Sequence, residues 1–444
     1  MKIVVFGAGE SGTGAALLAL RAGHEVFVTE ANAIGEVART RLEAAGVSYE
    51  ERGHTLSRLR DADLVIKSPG IPDDVPVLLE LKALGIDIIG EIEYAYRFLP
   101  TGAKIIGITG SNGKTTTTLL TYHLLHQAGL NAGLGGNVGR SFASLLMDEP
   151  KDWYVLELSS FQLDGIRDFR PDIAMILNIT PDHLDRYDYQ MEKYISAKFR
   201  IVGHMDDSGI CLVNGDDPVV QGRLKKTLSQ NAWESLGQEQ IKVQGISSEG
   251  ESFEVKNPML QGRHNRMNAL FAVRAAQLAG VDADLIQRGL ETFVNHPHRL
   301  EPVGEVEGIA FINDSKATNT DAVFFALDAM QSPVIWVVGG QDKGNDYAAL
   351  LSLVREKVKA IVCMGVDNSP LFSAFGELNK PMVEVRSARA AVEKAYALGE
   401  RGDTVLLSPA CASFDLFRNY VDRGDQFRYE VLELSKRVKG NKQV

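Results

Sequence analysis

Ile105-Ile106-Gly107-Ile108-Thr109-Gly110-Ser111-Asn112-Gly113-Lys114-Thr115-Thr116 decides the fold. The apolar run reads as a buried strand, the middle as a glycine-rich turn, and Lys114-Thr115 as the opening of a helix. Successive backbone N–H groups in such a turn form a concave anion site, and the helix N-terminus adds the positive end of its dipole. Lys114 would reach terminal phosphates, and the Thr115 hydroxyl would hold Mg²⁺. The chain therefore handles a nucleoside triphosphate. The strict pattern begins on glycine where this chain has Ile108, so the loop is a variant. The competing reading is a plain strand-to-helix turn with a solvated lysine. Turn, lysine and two threonines arriving together after a strand weigh against it.

Outward from that loop, apolar runs alternate with helical stretches almost throughout, the α/β signature. Two proline-bearing links, Phe98-Leu99-Pro100-Thr101-Gly102 and Asn295-His296-Pro297-His298, divide the chain into segments 1–97, 98–297 and 298–444. The first opens strand–Gly7-Ala8-Gly9-Glu10-Ser11-Gly12–helix, with further strands at Glu25-Val26-Phe27-Val28 and Leu64-Val65-Ile66-Lys67, the latter ending at Ser68-Pro69-Gly70. The third is expected to start with a strand at Ile309-Ala310-Phe311-Ile312, followed by Val334–Val338, Ala360–Cys363 and Thr404–Leu407. Each is a short buried run of parallel-sheet type. The basic stretch Ser435–Lys442 reads as a frayed, solvated tail.

Length and composition set the bounds. The 444 residues suffice for two to four domains, and 45% hydrophobic content is ordinary for a globular protein. A net charge of −11 argues against a general nucleic-acid binder. Three separated cysteines, Cys211, Cys363 and Cys411, suit a reducing cytosol and form no disulfide or zinc pattern. No segment approaches the ~18 consecutive apolar residues of a membrane span. The expectation is a cytoplasmic, multidomain protein.

Several smaller motifs carry chemistry. Gly7-x-Gly9-x-x-Gly12, with Glu30 where a ribose-binding acid is expected, fits a dinucleotide fingerprint. It admits NAD, but NAD would leave the second phosphate loop unexplained. Tyr154-Val155-Leu156-Glu157-Leu158-Ser159-Ser160 is a strand ending in a carboxylate, and a strand-end acid beside a phosphate loop helps hold Mg²⁺. After Ile176-Leu177-Asn178-Ile179-Thr180-Pro181, the residues Asp182, His183 and Asp185 could bind metal or orient a substrate; a loop hydrogen-bonder is the plainer role for His183. Lys198 sits among apolar neighbours in a helix-like stretch. An ammonium cannot ligate Mg²⁺, whereas a carbamate on a neutral lysine presents two hard oxygens. An ordinary surface lysine is the plainer reading. Asn265 and Asn268 lie on one face of a helix start, suited equally to a base or ribose or to an N-cap. Polar loops follow three strands of the last segment: Asn313–Asn319, Gly339–Gly344 and Ser408–Ser413. Three such loops at the carboxyl edge of a sheet suggest a binding face.

Together, Thr109–Thr115, Glu157, His183, Lys198 and the Gly262–Asn268 motif resemble the ATP-dependent Mur ligases, across essentially the whole chain. Asp314-Ser315-Lys316-Ala317-Thr318-Asn319, Gly340-Gln341-Asp342-Lys343-Gly344 and Ser408–Ser413 narrow the resemblance to the D-glutamate-adding branch. The resemblance implies three α/β domains: a UDP-binding Rossmann-like domain, a central P-loop ATPase-like domain and a C-terminal Rossmann-like domain that binds the amino acid. It implies amide-bond formation between UDP-N-acetylmuramoyl-L-alanine and D-glutamate in peptidoglycan precursor synthesis, by a monomer that neither binds nucleic acid nor inserts in a membrane.

The resemblance also implies roles. Gly110, Ser111, Asn112, Gly113, Lys114, Thr115 and Thr116 would hold ATP phosphates. Asn265, Asn268, Arg299 and Asp314 would contact ATP. One Mg²⁺ would sit on Thr115 and Glu157, and a second on His183 and a carbamylated Lys198. Asn137 and Ser159 would help place the muramoyl substrate. Gly9, Glu10, Ser11, Glu30 and Gly70 would surround the uridine diphosphate, which moves the first glycine turn from NAD to UDP. Lys316, Thr318, Lys343, Ser413 and Tyr420 would surround D-glutamate. Lys114, His183, Lys198 and Arg299 carry the catalytic expectation. Glu30-Ala31 stands where the family has Asp-Thr, and Tyr420 where Phe is familiar.

Overall fold

The computed structural model describes residues 1–229, 242–247, 253–260, 262–342 and 344–441. They form two compact units, residues 1–254 with 267–291 and residues 255–266 with 292–444. The first unit contains two sheets. One is built of β1 (Lys2–Phe6), β2 (Glu25–Thr29), β3 (Ser48–Glu50), β4 (Leu64–Lys67) and β5 (Asp87–Gly90), in the order β3-β2-β1-β4-β5. The other has β6 (Lys104–Thr109), β7 (Ala132–Gly136), β8 (Trp153–Glu157), β9 (Ile173–Ile176), β10 (Ile210–Asn214) and β11 (Lys242–Ile246), in the order β11-β10-β9-β6-β8-β7. All pairings in both are parallel. The cause is plain in the sequence: Ile3, Val4, Val5 and Phe6, like Ile105 and Ile106, are fully buried on both faces. Each such side chain contributes about 1.5–3 kcal/mol by leaving water.

β1 and β6 occupy equivalent places. In each sheet the chain reverses its direction of travel beside that strand, and the crevice at the carboxyl end of such a switch point is where ligands bind. Both glycine turns therefore open at the binding edge.

The second unit holds β12 (Glu301–Val306), β13 (Ile309–Asn313), β14 (Val334–Val338), β15 (Val358–Met364), β16 (Met382–Val385) and β17 (Thr404–Leu407), in the order β12-β13-β17-β14-β15-β16. β12 runs antiparallel to β13 and the rest are parallel. The expected first strand at Ile309 is thus the second. Pro302 and Gly304 disguised β12, and the register slips between them; an edge strand tolerates both residues. The expected frayed tail is also corrected: a helix runs Tyr420–Asn441. Val431 and Leu434 are buried and Val438 packs beside them, an apolar stripe at helical spacing hidden among lysines and arginines.

Candidate functional site

In the first unit, β6 delivers Gly110–Lys114 to the switch point, and the helix Lys114–Gln127 starts there. Gly113 takes the left-handed conformation (φ 83°), and a Cβ on it would lie 2.3 Å from the Asn268 amide oxygen, so only glycine closes this turn. The loop is braced from behind. Asn112 N–H donates to the Asn178 side chain at 2.8 Å, and the Asn178 amide donates back to the Asn112 carbonyl at 2.9 Å. Ser111 Oγ donates to the Thr180 carbonyl at 2.9 Å and accepts from its N–H at 3.0 Å. Sequence reading missed Asn178 and Thr180, although polar residues alternating with Leu177 and Ile179 just beyond β9 are the signal that marks such braces. Lys114 Nζ curls over the turn, donating to the Gly110 and Ser111 carbonyls at 2.7 Å each. Thr115 and Thr116 are buried in the first turn of the helix.

Lys198 is not the surface lysine its sequence suggests. It is 1% exposed on the helix Met191–Phe199. Its Nζ donates to the Gly110 carbonyl at 2.7 Å and lies 4.5 Å from the centre of the Tyr194 ring. Burial drives its pKa well below the usual lysine range, and the Lys114 charge adds to this, against the opposing pull of Asp182 and Glu157. Burial thereby favours the neutral form of an amine held against the Gly110 turn.

Glu157 ends β8 and is 3% exposed. Asn137 donates to its Oε1 at 2.8 Å, while its Oε2 is buried with no hydrogen-bond partner among the described residues. An orphaned carboxylate oxygen is expensive to bury, and a cation resolves the cost. The Glu157 carboxylate thus offers an oxygen suited to a hard divalent ion. Ser159 caps the next helix, Ser160–Asp164, in a capping box with Gln162. His183 is largely exposed in a left-handed turn, edge-on to Phe161 at 5.3 Å. Its Nε2 lies 3.6 Å from Asp182.

The first glycine turn faces a cavity of about 560 Å³ lined by Gly9, Glu10, Glu30, Asn32 and Arg41 among others. Glu30 accepts from Ala8 N–H at 2.9 Å and from Asn32 N–H at 3.0 Å, so it closes the turn itself. Glu10 accepts from Ser144 Oγ at 2.8 Å and pairs with Arg41 at 2.9 Å. Burial raises its pKa, but Ser144, Ser141 and Arg41 outweigh this and leave it lowered. Ser11 is half-buried in the same helix. Gly70 is exposed, and Arg186 clasps its segment through the carbonyls of Pro69, Gly70 and Ile71.

In the second unit, Asp314 sits at the end of β13 and is buried. Ser408 Oγ donates to it at 2.9 Å and Leu300 N–H at 3.2 Å. Burial pushes its carboxyl up to about 7, against the pull of Ser408, Leu300 and the Arg299 charge. Lys316 Nζ lies 3.9 Å from the centre of the Tyr420 ring, a cation–π contact. Ser413 is buried and Thr318 exposed. Lys343 lies outside the described residues. Asn265 and Asn268 are both buried inside the helix Arg263–Leu278, so neither is its N-cap. Arg423, which no sequence motif singles out, ties three of these loops together through Ser315, Gly339 and Cys411. Among the described residues no helix is long and apolar enough to cross a membrane.

Known proteins resemble this chain along nearly its whole length. Residues 2–77 match the MurD N-terminal domain, residues 108–276 the Mur ligase middle domain, and residues 298–411 the Mur ligase, glutamate ligase domain. The UDP-N-acetylmuramoylalanine–D-glutamate ligase of Christiangramia forsetii is 46% identical, covering 98% of this chain and 99% of that protein. The ligase of that name from Bacteroides fragilis is 47% identical over 98% of this chain and 100% of its own. Among solved structures, MurF from Acinetobacter baumannii superposes with a TM-score of 0.61 at 18% identity, covering 97% of this chain and 93% of that one. The UDP-N-acetylmuramate-alanine ligase MurC of Thermotoga maritima gives a TM-score of 0.60 at 19% identity, over 98% and 99%. These two share the fold.

Proposed function

This chain belongs to the Mur ligase family, and we propose that it joins D-glutamate to UDP-N-acetylmuramoyl-L-alanine at the expense of ATP, a step of peptidoglycan precursor synthesis. The observation that carries this is near-full-length likeness to ligases of that name. Segments 1–97, 98–297 and 298–444 would act as the UDP-, ATP- and amino-acid-binding domains; each holds one sheet.

The muramoyl-alanine carboxylate attacks the γ-phosphorus of ATP and ADP leaves, giving an acyl phosphate. The D-glutamate amine then attacks the acyl carbonyl, a tetrahedral intermediate forms, phosphate departs and the amide is made. Phosphoryl transfer chiefly needs placement and charge neutralisation. Lys114 and the loop amides of Gly110–Thr116 grip the phosphates. Arg299, Asp314, Asn265 and Asn268 hold the nucleotide. When bound, Mg²⁺ on Thr115 and Glu157, and a second ion on His183 and carbamylated Lys198, would neutralise phosphate charge. Burial favours the neutral form of the Lys198 amine, and the neutral form is the one that can take up CO₂. Asn137 and Ser159 orient the muramoyl arm. Gly9, Glu10, Ser11, Glu30 and Gly70 line the UDP site. Lys316, Thr318, Lys343, Ser413 and Tyr420 receive D-glutamate. The protein would work as a cytoplasmic monomer.

The test is product analysis with a panel of single amino acids, including both glutamate enantiomers. An adduct formed with D-glutamate alone supports the proposal. An adduct with another amino acid would keep the ligase and refute the glutamate assignment.

A further inference from the structure

Arg423 is among the largest fully buried side chains of the second unit, 1% exposed. Among the described residues no carboxylate lies within ion-pair distance of it. Its donors end instead on loops. Nε donates to Ser315 Oγ at 3.0 Å, and Nη2 to the Ser315 carbonyl at 2.9 Å and the Cys411 carbonyl at 3.1 Å. Nη1 donates to the Cys411 carbonyl at 3.1 Å and the Gly339 carbonyl at 3.4 Å. Those acceptors sit on the three loops that follow β13, β17 and β14. The Ser315 hydroxyl passes the link on, donating to the Tyr420 carbonyl at 2.8 Å. Gly340 makes the seat possible: its φ is 134°, and a Cβ there would lie 3.2 Å from Nη1 and 2.2 Å from the Ala412 carbonyl.

Burying an unpaired cation is costly, and burial pulls this guanidinium down to about 10, still charged at neutral pH. Loops can be tied together by neutral amides at lower cost. What an amide cannot supply is a rigid planar fork whose donors point at three separate loops at once. The neighbours of its anchor points are residues assigned above to the amino acid: Lys316 follows Ser315, Ser413 lies two beyond Cys411, and Tyr420 receives the Ser315 hydroxyl.

We propose that Arg423 is a positioning residue for amino-acid binding, its fork setting the spacing of the loops that present Lys316, Ser413 and Tyr420. This rests on the D-glutamate reading. D-Glutamate offers two carboxylates a fixed reach apart, so a small change in loop spacing weakens both contacts together.

The test is steady-state kinetics of wild type, R423K and R423Q, with KM measured separately for D-glutamate, ATP and the UDP-sugar, and with melting temperature recorded. R423K keeps the charge and loses the fork. We expect its KM for D-glutamate to rise about tenfold while the KM values for ATP and the UDP-sugar stay within about twofold. R423Q should lose more; if it fails to fold, R423K decides alone. An unchanged KM for D-glutamate in R423K, or a rise in all three KM values together, overturns the proposal while leaving the D-glutamate reading intact. Wild-type protein without D-glutamate-dependent turnover overturns both.

Discussion

At Gly7–Glu10 a parallel strand passes through a glycine turn into a helix, and at Gly110–Lys114 another does the same. The first helix opens on an acid, Glu10, and the second on a base, Lys114. Around the first turn the backbone donor of Ala8 is taken by Glu30, and Glu10 is paired with Arg41. Around the second, two lysine amines converge on the Gly110 carbonyl, and a buried carboxylate oxygen of Glu157 has no hydrogen-bond partner among the described residues. The backbone plan, a glycine turn at a helix N-terminus, is one that suits an anion in both places. Side chains decide whether a phosphate is only held, as proposed for UDP, or made to react, as proposed for ATP.

That contrast breaks most visibly at the second turn. Replacing Lys114 with Met should lower phosphate release by about 10²–10³-fold or more, with UDP-sugar affinity retained. Equal loss of UDP-sugar binding by calorimetry would erase the division of labour. Lys198→Ala should remove most activity, with partial return on adding acetate, whose oxygens stand in for a carbamate. Wild-type-like turnover without acetate would refute the carbamate.

The crowded acids beside the first turn give a pH signature. Glu91 is buried; its Oε1 accepts from Ala143 N–H at 2.6 Å and its Oε2 has no hydrogen-bond partner among the described residues. Burial pushes its carboxyl up to about 7 from 4.5, with Glu10 adding to the rise. The unfolded chain releases this proton near 4.5 and the folded chain holds it to about 7. Between those values the folded state binds more protons, so stability falls as pH rises, by up to about 3 kcal/mol. Glu91→Gln should remove that slope and melt higher than wild type at pH 8, by calorimetry; an unchanged slope would contradict the burial cost.

Smaller effects sharpen the comparison. Gly113→Ala forces a side chain into the left-handed region against Asn268, at about 1–2 kcal/mol, and should raise the KM for ATP while sparing that for the UDP-sugar. Glu30→Gln weakens the clasp on Ala8 and should raise the KM for the UDP-sugar by a few fold, about 1 kcal/mol, with ATP untouched. Crossed effects in kinetics would mean the two turns are not independent.

The sequence made legible what depends on neighbours along the chain. The phosphate loop, the first glycine turn and the runs at Val334, Ala360 and Thr404 announce themselves by local pattern. β12 stayed hidden because Pro302 and Gly304 are strand breakers that only an edge position excuses. The last helix stayed hidden because Lys436, Arg437, Lys439 and Gly440 surround its apolar stripe. Burial of Lys198, Glu91 and Arg423 comes from distant segments closing over them: Lys198 meets Gly110, Glu91 meets Ala143, and Arg423 meets Ser315 and Gly339. No spacing along the chain reports such meetings between buried ionisable groups and distant backbone.

The most direct measurement is phosphate release by the purified protein with ATP and Mg²⁺, titrating UDP-N-acetylmuramoyl-L-alanine at fixed D-glutamate and then the reverse. The account predicts saturable release that requires both, and none when L-glutamate replaces the D enantiomer. Release indifferent to the UDP-sugar and to the amino acid would contradict it, leaving an ATP-hydrolysing loop with no ligase attached.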